Sequence, residues 1–185
     1  FTPLGTLFGN LISQFLSWLN SISVILVNAI IGFSWLLLII PGMHAPVAML
    51  FISNFFVTGV DYNLLPCIMT VGWIASATNV AILLKAKDKK DKELASSGLI
   101  SILLGGVVEP SLYGLYINDK TALLACCTGM CVSSVIMAIL KVGAYTFSGS
   151  NFMSFLVYLA GGASNALRAA ICIAAGMAVA FAIVM

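Results

Sequence analysis

The stretch VILVNAIIGFSWLLLII, residues 24–40, decides the fold class, because it holds one amide, one hydroxyl and no charge. It lies inside a longer run: from Phe1 to Val60 the sequence contains no Asp, Glu, Lys or Arg. A single membrane-spanning helix requires about 20 apolar residues, so this run exceeds one span. Working outward, 62% of the 185 residues are hydrophobic and 8% are charged, against about 25% charged in an ordinary soluble domain. The composition argues against a water-soluble domain and for an integral membrane chain. Lipid offers the backbone no hydrogen-bond partners, so only helices or closed barrels span it. Long apolar runs without period-two alternation select helices. The fold class is therefore all-α, a polytopic membrane protein with broken and re-entrant helices, in which 1–185 form a single unit of about five to seven helical elements.

Chain punctuation divides that unit. Asn10, Ser13, Gln14, Ser17, Asn20 and Ser21 recur every three or four positions, which predicts an amphipathic helix leading into the span at about Val24 to Ile40. Pro41-Gly42 stops it. The element at about Val47 to Val57 is short for a span and reads as re-entrant; the polar cluster Gly59 to Asn63 follows it. Leu64 to Leu84 is long enough to cross. It leads into Lys85 to Glu93, which carries five of the eight basic residues and is placed in the cytoplasm by the positive-inside rule. This segment reads either as a solvated loop or as a docking surface. Leu94 to Val108 then enters the membrane and breaks at Gly105-Gly106 and Pro110. Two hydrophobic elements close the chain, Thr121 to Ala144 and Phe152 to Met185, the second divided at Gly161-Gly162. Phe1-Thr2-Pro3 has no basic region or cleavage site of a signal peptide and suggests an internal cut.

An ionisable side chain at bilayer depth costs at least about 2.5–3.5 kcal/mol, so each needs a partner, a wet cavity or a task. Glu109 is the strongest candidate, standing where a broken helix leaves backbone groups free to join it in binding a polar ligand. Its bland alternative is a carboxyl that braces the break. His44, the one histidine, lies between Pro41-Gly42 and Pro46, at a second break. Asp61 reads first as a turn residue. Arg168 pairs with a carboxylate, reaches an interface or braces helices. Cys67, Cys126, Cys127, Cys131 and Cys172 read as small buried hydrophobes, since an odd, unspaced set fits neither a disulfide framework nor a zinc site. No metal site, cofactor, phosphate loop or nucleic-acid partner is called for.

The segment Gly106-Val107-Val108-Glu109-Pro110-Ser111-Leu112-Tyr113-Gly114 resembles the Gly-Ile-Thr-Glu-Pro-Ala-Ile-Tyr-Gly sequence of membrane-embedded IIC domains. These belong to the glucose superfamily of the bacterial phosphoenolpyruvate-dependent sugar phosphotransferase system, and the likeness is greatest to the β-glucoside, sucrose and trehalose branch. Gly42-Met43-His44 resembles the family's Gly-Leu-His, with Asn54, Gly59, Asp61 and Pro66 at matching intervals. The lysine-rich segment also matches. Ala45 stands where the family usually has Trp, Ser53 where it often has a second Asn, and Val107-Val108 where it has Ile-Thr.

The resemblance implies the C-terminal half of a IIC domain, in the bacterial inner membrane. Such a unit is a component of a sugar phosphotransferase that binds a sugar and presents its hydroxyl to the phosphocysteine of a IIB domain, fed by IIA and HPr. It implies His44 and Glu109 as catalytic and sugar-binding residues, Asn54 and Asp61 as further sugar-binding residues, and a homodimer in the full-length protein. This stretch alone would be inactive. Tyr113 or Trp73 would stack on a sugar face. The alternative from the residues alone is an ion-coupled secondary transporter with Glu109 as the proton or cation carrier.

Overall fold

A computed structural model describes residues 21–185 together with Leu7, Leu11, Gln14, Phe15 and Trp18, excluding the side chains of Leu50 and Asn54. Of the polar series that predicts an amphipathic first helix, Asn10, Ser13, Ser17 and Asn20 lie outside the described residues, while Gln14 and Ser21 are exposed.

The helix α1 (Val24–Ile39) begins where Ser23 accepts a hydrogen bond from the Leu26 amide at 3.3 Å, a side-chain cap on a free helix-end donor. It stops before Pro41, as the sequence requires. After it comes α2 (His44–Thr58), of 15 residues, which starts at His44 rather than at Val47. Pro46 is accommodated in its first turn, where an amide hydrogen has no intrahelical acceptor. The span α3 (Leu65–Lys85) has 21 residues, about 31 Å at 1.5 Å per residue, which matches a hydrocarbon core of about 30 Å.

Two further helices are long and apolar enough to cross a membrane, α5 (Lys120–Leu140) and α6 (Gly162–Val184). They lie against one another, and α1 packs on α5 while α3 packs on α6. Small residues permit the approach: a Cβ on Gly129 would stand 2.7 Å from the Gly176 carbonyl oxygen, and one on Gly176 2.6 Å from that of Gly129. In lipid, where apolar side chains gain nothing by leaving a hydrocarbon solvent, such backbone proximity is a principal source of helix association.

The bundle has two ends. At one, Lys85 donates to the Val184 carbonyl, and the α5 start lies beside α4 (Lys89–Ile100). At the other, Asp61 and Ala144 pair backbone to backbone at 3.0 and 2.7 Å. The lysine-rich segment is thus not one loop: Asp88 accepts from the Lys90 amide at 3.1 Å and starts α4, so 89–93 are helical.

Between these ends the chain twice turns back inside the bundle. The first arm runs down α4 and a wide π-helical turn (Ser101–Gly105), reverses at Gly106, and returns through Glu109–Ser111 and a second π turn (Leu112–Tyr116) to the end it left. Gly106 has φ +70°, a left-handed conformation that a side chain disfavours. The second arm leaves α5 at Lys141, dips to Ser150, and climbs through Phe152–Phe155 and Leu156–Leu159 to α6. The tips meet: a Cβ on Gly106 would be 3.0 Å from the Asn151 amide nitrogen, and one on Gly72 of α3 only 1.8 Å from the Ser150 carbonyl oxygen. The break expected at Gly105-Gly106 and the division at Gly161-Gly162 are both present.

Candidate functional site

Glu109 is the first residue of the returning arm, followed by Pro110, whose missing amide hydrogen has no helical acceptor in the first turn. Its side chain is half-buried and makes no hydrogen bond or ion pair among the described residues. The turn before it is closed locally, with Ser101 donating its hydroxyl to the Val107 carbonyl at 3.2 Å. A half-buried carboxyl group on a re-entrant turn, with no partner among the described residues, is a group ready for a polar ligand.

One turn beyond Glu109, the Tyr113 hydroxyl donates to the Ile40 carbonyl at 3.2 Å. Ile40 closes α1, four residues before His44. The hydrogen bond thus joins the Glu109 arm to the α1–α2 break, and the two interruptions read from the sequence become neighbours. At that break the His44 ring stands edge-on to Trp35, with centroids 6.2 Å apart. Its Nδ1 is buried and has no hydrogen-bond partner among the described residues. Buried polar atoms are normally paired, so this orphan calls for a ligand or a water.

The remaining sequence candidates are spread over α2, the start and middle of α3, and α6. Asn54 is on α2, with its side chain outside the described residues. Asp61 sits at the opposite end of the bundle from the lysine-rich segment, and its carboxylate accepts from the Asn63 amide at 2.7 Å and the Leu65 amide at 2.9 Å. It organises the turn and starts α3, as its turn reading anticipates. Trp73 donates to the Ser154 hydroxyl at 2.9 Å and so ties α3 to the second arm. Arg168 donates to the Leu140 carbonyl at 3.3 Å, a cation placed on the negative end of α5. It lines an open polar cavity of about 430 Å³ with Tyr62, Lys141, Tyr145, Ser164 and Asn165. There the Tyr62 and Tyr145 hydroxyls lie 2.9 Å apart, and that hydrogen bond raises the Tyr145 pKa above its ordinary value. All five cysteines are free, and no group of three His, Cys, Asp or Glu converges among the described residues.

Sequence reasoning missed the buried polar cluster beneath Glu109. Asn79 of α3 donates to the Ser111 hydroxyl at 2.7 Å and accepts from the Tyr116 hydroxyl at 2.9 Å. Tyr116 also meets the Ala75 carbonyl at 2.9 Å. The signal was available: an amide in the middle of an otherwise apolar span needs a partner.

No family model matches the chain, and no solved structure does either. Curated relatives do. The chain is 29% identical over 147 residues to the PTS system beta-glucoside-specific EIIBCA component of Halalkalibacterium halodurans, covering 80% of this chain and 23% of that protein. It is 29% identical over 147 residues to the PTS system glucose-specific EIIBCA component of Corynebacterium glutamicum, covering 78% and 22% respectively. It is 28% identical over 123 residues to the PTS system arbutin-, cellobiose-, and salicin-specific EIIBC component of Escherichia coli, covering 66% and 25%. The chain thus spans about a quarter of the length of the curated relatives it matches. Several such relatives, an all-helical fold with three helices long enough to cross a membrane, and a Glu-Pro-x-x-Tyr-Gly turn set on a re-entrant arm agree on one likeness: this chain is similar to the membrane-embedded part of sugar-specific EIIBC and EIIBCA components of the bacterial phosphotransferase system.

Proposed function

We propose that this unit binds a sugar inside the bacterial inner membrane, as part of a multi-pass permease, and presents one of its hydroxyls for phosphorylation by a IIB phosphocysteine. The observation that carries the reading is Glu109, without a partner among the described residues, on a re-entrant turn linked through Tyr113 to the break that holds His44. Glu109 accepts hydrogen bonds from sugar hydroxyls, each worth about 1.5–3 kcal/mol when one partner is charged. His44 orients the acceptor hydroxyl and takes its proton as the oxygen attacks phosphorus; the new O–P bond forms while the S–P bond to the IIB cysteine breaks and the thiolate leaves. Positioning and charge stabilisation dominate such transfers. The product carries close to two negative charges and recrosses lipid poorly. IIA and HPr would recharge the IIB cysteine, and the full-length permease would be a homodimer. The relatives' names speak for this reading over an ion-coupled carrier without substrate chemistry.

The test uses the full-length permease in proteoliposomes with labelled sugar. Sugar phosphate should form only when phosphorylated IIB is supplied. His44→Gln should lower phosphorylation more than binding, and Glu109→Gln should lower both. Accumulation of unmodified sugar driven by an ion gradient, or unchanged binding and transfer in Glu109→Gln, would overturn the proposal.

A further inference from the structure

Ser111, two residues after Glu109, is fully buried, as are Asn79 and Tyr116. These three side chains form one connected set: Asn79 Nδ2 to Ser111 Oγ at 2.7 Å, Tyr116 hydroxyl to Asn79 Oδ1 at 2.9 Å, and the same hydroxyl within 2.9 Å of the Ala75 carbonyl. Asn79 thus uses both ends of its amide, one on each end of the returning arm. From the entering arm, Gly98 closes over the set: a Cβ there would lie 2.1 Å from Ser111 Oγ and 3.1 Å from Asn79 Nδ2. Both limbs of the re-entrant hairpin are therefore registered against one amide of α3.

The arm needs such a registration. Its backbone is wound as short π and α pieces between Gly105 and Tyr116, which lack the continuous hydrogen-bond ladder that makes a long helix rigid. Buried, fully satisfied polar networks fix a single geometry because any slip strands a donor or acceptor in an apolar surrounding.

We infer that Asn79 is a positioning residue for Glu109: through Ser111 and Tyr116 it fixes where the Glu109 carboxyl meets the sugar. This inference rests on the proposed role of Glu109. It predicts that Asn79→Ala weakens sugar affinity without Asn79 touching sugar, and that Gly98→Ala, which pushes Ser111 off Asn79 from the opposite side, does the same.

The experiment is a double-mutant cycle in the full-length permease, reading sugar binding by equilibrium dialysis and folded protein by size-exclusion profile and thermal denaturation in detergent. Asn79→Ala and Gly98→Ala are each expected to raise the sugar Kd about tenfold. In a Glu109→Gln background the same changes should raise it less than twofold, because the carboxyl they position is already gone. Tyr116→Phe, which keeps the ring and removes the one hydroxyl proton shared between the Asn79 and Ala75 oxygens, should fall between wild type and Asn79→Ala. Equal effects of Asn79→Ala with and without Glu109, or loss of stability with an unchanged Kd, would overturn the inference while leaving the role of Glu109 standing. If Asn79→Ala fails to fold, the cycle is read from Tyr116→Phe, with the same coupling required. An unchanged Kd in Glu109→Gln alone would instead overturn the sugar-site reading itself.

Discussion

The two segments that turn back inside the bundle treat their polar groups in opposite ways. On the second arm, 141–161, polar side chains of the arm and of the adjoining α3 and α6 hold the fold together. Asn165 accepts from the Gly143 amide and donates to the Gly143 and Tyr158 carbonyls, all at 2.9 Å. Asn151 accepts from the Met153 amide at 3.0 Å, and Ser154 accepts from Trp73. On the first arm the satisfied groups, Ser111 and Tyr116, lie behind the turn, while the turn itself presents a carboxyl with no partner among the described residues. Both arms use similar polar chemistry in an apolar bundle. Satisfied groups build structure, and the unsatisfied one marks where a ligand completes the pairing.

Substitutions break or sharpen that contrast. The largest effect is expected from Asn165→Ala, which strands the Gly143 amide and carbonyl in the second arm. Each buried group left unsatisfied costs about 1–3 kcal/mol, so the full-length permease should lose several kcal/mol of stability in a detergent melt. The sugar Kd of the protein that remains folded should be unchanged. Next is Glu109→Gln, with sugar binding weakened about 10- to 100-fold, as loss of charge-assisted hydrogen bonds implies, and a melting temperature within error of wild type. A variant that bound sugar normally but melted early would reverse the assignment of the two arms.

Asp61→Ala should remove the acceptor at the α3 start and lower stability by about 1 kcal/mol, the usual worth of a capping side chain, with sugar affinity within twofold. A large loss of affinity would restore Asp61 to the sugar site. The smallest effect belongs to Lys89→Ala. Its 3.7 Å contact with Glu93 joins two exposed side chains one turn apart, and such pairs contribute about 0.3–0.5 kcal/mol. Thermal denaturation should scarcely register its loss.

Much of the fold was legible because lipid simplifies the rules. Pro41-Gly42, Gly59, Gly105-Gly106 and Gly161-Gly162 all mark real interruptions, since few residues can end a helix where no water solvates the backbone. The α2 start was misplaced by three residues because Pro46 reads as a breaker, yet a proline in the first turn forfeits no hydrogen bond. In the lysine-rich segment, which reads as a solvated loop or a docking surface, the dense charge conceals the helix cap at Asp88. Glu109 and His44 stood out as polar residues at breaks. Asn79 signals only that some partner is needed, and which partner it finds is decided by residues 32 and 37 positions away that fold onto it.

The sequence by itself determined the class of the molecule and the residues that hydrocarbon would not accept without a reason, because hydrophobic transfer and backbone satisfaction act locally along the chain. Tertiary structure alone decided which of those residues acquire partners. Asp61 and Arg168 are met by backbone amides and a carbonyl from their own and neighbouring elements, while among the described residues Glu109 and His44 Nδ1 are not. That outcome depends on how two re-entrant arms and three spanning helices close on one another, and pairing across such distances follows from packing rather than from spacing.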